Sequence, residues 1–281
     1  MSLRLVLILA FFSSPLHAQA RPALDTSRPL VLRVPGADRV QAQPDLAYRT
    51  VNDSALRMDL YLPRLTSPGR PPVVVLNSGA SDARKWQGFV DLARIASLNG
   101  IAAVNFAKRY ERGRLLEGAD DLRALLTLLR EKGDSLGVDG RRVCIWGFSG
   151  GGLLIPVGMT AGEQIRCLVG YYPAIDLRTI LPMLPEAQRD SARRTLSAID
   201  LLEGGARMPP MLLVRAGRDR AELNEQIERV AAAAAASKQP VELIEYPNGQ
   251  HGFDVADDTD ESRAIIRRTV EFVRQQLGVR P

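Results

Sequence analysis

The chain has 281 residues, 46% hydrophobic and 25% charged, which suits one globular domain and excludes wholesale disorder. Two cysteines exclude a disulfide-dense scaffold and a four-cysteine zinc site. The net charge is +5, but the 37 Lys and Arg residues are scattered among 32 Asp and Glu residues. We therefore expect no nucleic-acid partner. Two histidines and two cysteines also leave few ligands for a structural zinc or an iron–sulfur centre, so we expect no metal.

Residues 1–20 have the pattern of a secretory signal peptide. An unbroken apolar run at residues 5–12 is followed by a small-residue cleavage site near Ala20. The run is shorter than the roughly 20 residues that a membrane span needs. We therefore expect a secreted or periplasmic protein without a membrane partner after cleavage, the alternatives being an uncleaved anchor or a buried strand. Cleavage removes His17 and leaves His251 as the single histidine.

The remaining chain alternates between two kinds of apolar pattern. After an extended lead-in at residues 21–44, we predict one domain at residues 45–281. Apolar runs predict strands at residues 48–51, 56–61, 72–76, 101–106, 143–146, 165–171, 211–215 and 241–246. Helical spacing predicts helices at residues 86–98, 118–132, 153–160, 221–237 and 260–277. The alternation predicts an α/β fold, a doubly wound and mostly parallel sheet.

Residues 173–209 interrupt this alternation. They form a proline-containing connection of about 37 residues between two predicted strands, which is typical of a functional cap. We therefore predict a helical cap insertion here. Its apolar residues Ile180, Leu181, Met183 and Leu184 either face a pocket or pack on the core.

A glycine-rich turn follows the predicted strand at residues 143–146. It reads Gly147-Phe148-Ser149-Gly150-Gly151 and precedes a helical stretch, which is the context of a nucleophile elbow. The outer glycines leave room for the neighbouring strand and helix, so that the hydroxyl of Ser149 stands clear of the sheet. The pattern predicts Ser149 as a nucleophile and the Gly150 N–H as a donor to an oxyanion.

A serine hydroxyl needs a base to act as a nucleophile. His251 follows the last predicted strand, at the sheet edge where ligands meet open α/β sheets. The base in turn needs a carboxylate. Asp219, directly after the strand before, is the first candidate and gives the chain order Ser149, Asp219, His251. Asp176 is the alternative, whereas Asp254 lies too close to His251 in sequence to reach its ring.

The second oxyanion donor is expected in the loop after the strand at residues 72–76. This loop reads Asn77-Ser78-Gly79-Ala80-Ser81. Gly79 is the first choice for the backbone donor and Ser78 the second. Loss of one such donor lowers the rate roughly 10²- to 10³-fold.

Together these motifs resemble the α/β-hydrolase superfamily, in particular its dienelactone hydrolase-like and small-ester esterase group. The resemblance covers residues 45–278 and rests on residues 147–151, 216–219 and 251–253. It implies a serine hydrolase that cleaves small-molecule carboxylic esters without a cofactor, through Ser149, Asp219 and His251.

The sequence departs from that group at two positions. Residues 77–80 replace a His-Gly-Gly-Gly motif, and Ser149 stands where dienelactone hydrolases have a cysteine. Two other functions therefore remain open: a peptidase or acyltransferase with the same triad, and a binding protein without turnover. The sequence fixes neither the oligomeric state nor whether Cys144 and Cys167 pair or stay buried thiols.

Overall fold

The computed structural model describes residues 25–64, 69–110 and 114–280, and the predicted signal peptide at residues 1–20 lies outside them. The described strands are β1 (Ala42–Val51), β2 (Ser54–Tyr61), β3 (Pro72–Asn77), β4 (Ala102–Phe106), β5 (Asp139–Phe148), β6 (Ile165–Tyr171), β7 (Met211–Ala216) and β8 (Val241–Tyr246). They form one sheet in the order β1-β2-β4-β3-β5-β6-β7-β8. Strand β2 pairs antiparallel with both β1 and β4, and the pairs among β3 to β8 are all parallel.

Helices cover both faces of this sheet. Those described are α1 (Gln87–Leu98), α2 (Leu115–Leu136), α3 (Ile155–Met159), α4 (Glu186–Leu196), α5 (Ala198–Glu203), α6 (Ala221–Ala236), α7 (Phe253–Ala256) and α8 (Asp260–Gln276). Val73 and Val75 of β3 belong to the hydrophobic cluster that contains α2 to α6, whereas Val74 and Leu76 belong to the cluster that contains α1 and α8. Because successive side chains of a strand point to opposite faces, this alternation confirms the predicted doubly wound fold.

Two helices differ from their predicted bounds. Helix α2 runs past Gly133 to Leu136, and Gly137 ends it with φ 76°. Residues 149–154 form a 3-10 helix, so that α-helix begins only at Ile155. The three consecutive glycines at residues 150–152 explain this delay, because glycine is the poorest α-helix former after proline. None of the described helices is long and apolar enough to cross a membrane.

The insertion at residues 173–209 is helical, as predicted, and carries α4 and α5. Ile180 and Leu181 pack against the same hydrophobic cluster as α2 to α6, and Leu184 is buried within it. Of the two alternatives for these residues, packing on the core is therefore the correct one. Among the residues that line the cavity beside Ser149, described below, none comes from the described part of 173–209.

Cys144 and Cys167 lie opposite each other on β5 and β6. Both are free and buried. Burial raises the pKa of the Cys144 thiol, which disfavours the reactive thiolate. The structure thus agrees with two buried thiols.

Candidate active site

The loops after β5, β7 and β8 bring together the three residues predicted as a triad. His251 Nε2 lies 2.8 Å from Ser149 Oγ, and His251 Nδ1 lies 2.5 Å from Asp219 Oδ2. Because β5, β7 and β8 run parallel within one sheet, their carboxyl ends meet at the same edge. Residues that are far apart in the chain therefore form a continuous hydrogen-bonded row.

Ser149 sits on a strained turn. Its φ is 52°, in the left-handed region that a residue with a side chain rarely adopts. A Cβ on Gly151 would lie 2.1 Å from the Asn77 carbonyl oxygen, so that only glycine allows the turn to approach the end of β3. This is the geometry predicted for a nucleophile elbow.

Of the three candidate carboxylates, Asp219 is the one that contacts His251. Its side chain is 1% exposed, and its other oxygen accepts a hydrogen bond from the Arg220 N–H at 2.7 Å. Asp176 instead accepts from Arg229 at 3.2 Å. Asp254 accepts from a tyrosine hydroxyl. The preference for Asp219 agrees with this geometry.

The two predicted oxyanion donors, Gly79 and Gly150, lie next to each other beside Ser149. A Cβ on Gly79 would lie 3.0 Å from the Gly150 Cα, so the two glycines approach as closely as backbones can. Among the described residues the Gly79 N–H has no hydrogen-bond partner. The Ser78 hydroxyl accepts from the Ala80 N–H at 3.1 Å. Gly79 thus offers an unpaired N–H beside Gly150, in the loop where the second oxyanion donor was expected.

Tyr172 is a site residue that no sequence motif indicated. Its ring centre lies 4.6 Å from that of His251, and its hydroxyl donates to Asp254 Oδ1 at 2.5 Å. Its φ is 37°, a strained conformation at the end of β6. Burial raises the pKa of the Asp254 carboxyl to about 6, and the hydrogen bond from Tyr172 opposes that shift. The buried Tyr172 ring, whose hydroxyl is bonded to Asp254, thus packs against the imidazole of His251.

Replacing Asp254 by asparagine is expected to reduce the pH dependence of stability while keeping an acceptor for Tyr172. The pKa of Asp254 is raised above its unfolded value, so the stabilisation from its protonated form is complete below about pH 4 and is lost as the pH rises through about 6. This loss amounts to about 3 kcal/mol at most. Urea unfolding at about pH 4.5 and about pH 7.5 measures it. A wild-type minus D254N difference that is equal at both pH values would contradict the prediction.

A cavity of about 330 Å³ opens beside Ser149 and His251. Apolar side chains make much of its wall, namely Trp86, Phe89, Phe148, Tyr172 and Val255. Residues 25–28, from the segment ahead of the sheet, contribute a further wall. The Thr26 carbonyl accepts from the Gln87 N–H at 2.9 Å, and the Leu30 N–H donates to Asp91 at 3.1 Å, which holds this segment on α1.

This cavity wall could not be predicted from motifs. Residues 25–28 have no periodic pattern that indicates a site, and Trp86 marks only the start of a helix. Within the described ranges, no group of three or more His, Cys, Asp or Glu side chains has a metal-binding arrangement.

Solved structures with the same fold include several hydrolases. A thermostable esterase from Pseudomonas putida is 18% identical, with a TM-score of 0.64 over 86% of this chain and 84% of that chain. An esterase from Pyrobaculum calidifontis is 19% identical, with a TM-score of 0.63 over 89% of this chain and 87% of that chain. A puromycin-hydrolysing peptidase from Mycobacterium tuberculosis is 19% identical, with a TM-score of 0.70 over 86% of this chain but 40% of that chain. The fold is that of the α/β-hydrolases.

Residues 105–280 match the profile of the prolyl oligopeptidase family, Peptidase_S9. The match covers more than half of the chain, so this protein belongs to the prolyl oligopeptidase family and is a serine hydrolase. No curated protein matches the sequence significantly. The predicted superfamily is confirmed, whereas the dienelactone hydrolase-like group is not.

Proposed function

We propose that this chain is a secreted or periplasmic carboxylesterase that hydrolyses small-molecule esters through Ser149, His251 and Asp219. The observation that carries the proposal is the row from Ser149 Oγ through His251 to Asp219, with distances of 2.8 and 2.5 Å, at the mouth of an apolar cavity. The apolar run and cleavage pattern of residues 1–20 support export from the cytoplasm.

In the first half of the proposed reaction, Ser149 Oγ attacks the ester carbonyl carbon as its proton passes to His251 Nε2. The carbonyl π-bond opens, and the negative charge on its oxygen is stabilised by the N–H groups of Gly79 and Gly150. When the intermediate collapses, the bond to the alcohol oxygen breaks, and His251 returns the proton to that oxygen. The alcohol leaves, and the acyl group remains on Ser149.

In the second half, a water molecule takes the place of the alcohol. His251 accepts its proton, the hydroxide adds to the acyl carbon, and the acid leaves as Ser149 regains its proton. Asp219 accepts a hydrogen bond from His251 Nδ1, which fixes the ring tautomer and stabilises the imidazolium in both halves. All of these steps use side chains and backbone of this chain, without a cofactor.

The cavity favours an ester with a compact apolar group. Aromatic side chains of Trp86, Phe89 and Phe148 line it, and about 330 Å³ accommodates a small acyl or alcohol part. A peptide bound there would bury several N–H and C=O groups that need partners. The described wall is mostly apolar and supplies few of them.

A peptidase is the second candidate, because the chain belongs to the prolyl oligopeptidase family. The similar fold of a puromycin-hydrolysing peptidase points the same way. Matched aryl ester and aryl anilide substrates with the same acyl group separate the two activities. We expect measurable turnover of the ester and far slower turnover of the anilide. A higher kcat/KM for the anilide or for a dipeptide amide would favour the peptidase.

The direct test of the site is labelling with a fluorophosphonate probe. We expect one adduct by intact-mass spectrometry, mapped to the peptide that contains Ser149, because only an activated serine reacts at a useful rate. His251→Ala is expected to lose the adduct while remaining folded. A folded wild-type protein that forms no adduct, yet binds small esters, would instead support the binding-protein alternative.

A further inference from the structure

Lys108 is a buried lysine that contacts the loop at residues 78–81. It lies just after β4, and the residue is 3% exposed. Its Nζ donates to the Ser78 carbonyl at 2.9 Å and to the Ala80 carbonyl at 2.7 Å. Its own N–H donates to the Ser81 carbonyl at 2.7 Å. Lys108 therefore holds three of the carbonyls of the loop at residues 78–81, those of Ser78, Ala80 and Ser81.

These contacts fix the direction of the Gly79 N–H. In a planar trans peptide, the C=O of one residue and the N–H of the next point in opposite directions. Since the Ser78 carbonyl points at Lys108, the Gly79 N–H points away from it. Ser78, Gly79 and Ala80 line the cavity beside Ser149, whereas Lys108 does not. The Gly79 N–H is thus directed away from Lys108, in a loop that lines the cavity.

The Gly150 N–H is oriented in the same way, except that a backbone N–H, and not a lysine, donates to the preceding carbonyl. The Ser149 carbonyl accepts from the Ala174 N–H at 2.9 Å, so the Gly150 N–H points the other way. The Tyr110 hydroxyl also donates to the Gly150 carbonyl at 2.6 Å. The two peptides that carry the candidate donors are thus both held by a hydrogen bond to their carbonyl oxygen.

The surroundings of Lys108 are otherwise apolar. Its Nζ lies 5.3 Å from the centre of the Phe106 ring and 4.9 Å from that of Tyr110, which favours a cation. Burial lowers the pKa of Lys108 to about 7, and the charges of Asp82 and Asp121 oppose that shift. The neutral amine keeps two N–H groups for its two carbonyl acceptors, so the loop is held in either state.

We propose that Lys108 is a positioning residue of this enzyme, which orients the Ser78–Gly79 peptide so that its N–H stabilises the oxyanion. The proposal rests on the esterase function given above. It assigns a role in transition-state stabilisation to a residue that does not touch the substrate. A charged or strongly polar donor on the Ser78 carbonyl also polarises that peptide, which strengthens the N–H donor on its other side.

The test compares Lys108→Met with Lys85→Met. Methionine has a similar length but no N–H donor, and Lys85 is a matched control because its 65% exposed side chain pairs with Asp59 instead. We expect K108M to lower kcat for an aryl ester roughly 10- to 100-fold with KM within about twofold, because the donor is misdirected rather than deleted. Affinity for an alkylboronic acid, which forms a tetrahedral adduct on serine, should fall by a similar factor. K85M should match wild type in all three.

Folded K108M with kcat and boronate affinity within about twofold of wild type would overturn the proposal, as would a loss confined to KM. If K108M fails to fold, Lys108→Gln decides, because its amide keeps a polar group in the buried site, but its nitrogen is one bond closer to the backbone and no longer reaches both carbonyls. We expect K108Q to lose kcat and boronate affinity together, and unchanged values would refute the role. Failure of the proposed esterase function is a separate outcome: the Ser149→Ala variant would then turn over the ester as fast as wild type does.

Discussion

Replacing Ser149 by alanine is expected to lower kcat/KM for an aryl ester roughly 10⁴- to 10⁶-fold. The hydroxyl is the one described nucleophile within hydrogen-bond distance of His251, and alanine removes it without disturbing the strained turn. Some rate above background should survive, because the backbone donors and the cavity still bind the substrate. Steady-state kinetics with a sensitive fluorogenic ester measures the difference.

The control for this variant is Ser135→Ala. Ser135 lies on the exposed side of α2 and donates to the Lys132 carbonyl, remote from the cavity. The Ser135→Ala variant should have the kcat/KM and the thermal stability of wild type. Turnover by S149A at more than about one tenth of the wild-type rate would remove Ser149 from the mechanism and, with it, the proposed acyl-enzyme.

The second large effect is expected for Asp219→Asn. An amide N–H at this position donates to His251 Nδ1, which then carries no proton of its own. The proton sits on Nε2 instead, so Nε2 cannot accept the Ser149 proton. The imidazolium formed during the reaction also loses its counter-charge. We expect kcat to fall roughly 10³- to 10⁴-fold with the fold intact. Rates should be compared with unfolding midpoints of the same preparations.

Asp176→Asn is the matched control, since Asp176 is the other carboxylate that follows a strand of the sheet. It is buried and pairs with Arg229, and its loss should lower stability through the broken ion pair. Activity per folded molecule should persist, because Asp176 makes no contact with His251. Retention of full activity by D219N together with inactivity of folded D176N would reverse the assignment.

The sheet and the position of the site were accessible from the sequence for simple reasons. Strands buried on both faces are continuous apolar runs, as in β3 and β4, and parallel strands place their carboxyl ends together. Ser149 and Asp219 follow mostly buried strands, and His251 follows the partly exposed edge strand β8, so their meeting required no knowledge of side-chain packing. The elbow glycines added a backbone constraint that is visible as sequence.

Other parts of the site depend on contacts that no local pattern encodes. Lys108 and Tyr172 are single residues after strands, and their roles arise from carbonyls and rings distant in sequence. The insertion at residues 173–209 illustrates the opposite case. Its length predicted a cap, but Ile180, Leu181 and Leu184 pack with the hydrophobic core on the face of the sheet that carries α2, α3 and α6.

The segment at residues 25–28 gives the enzyme a substrate-facing wall that is separate from its core. Leu30 and Leu32, a few residues later, anchor it, whereas the wall residues themselves are exposed and belong to no strand of the sheet. Substitutions there change the shape and charge of the cavity without creating core voids or breaking ladder hydrogen bonds. We therefore expect substitutions at Asp25, Thr26 or Arg28 to alter which molecules fit the cavity while leaving the row of Ser149, His251 and Asp219 in place.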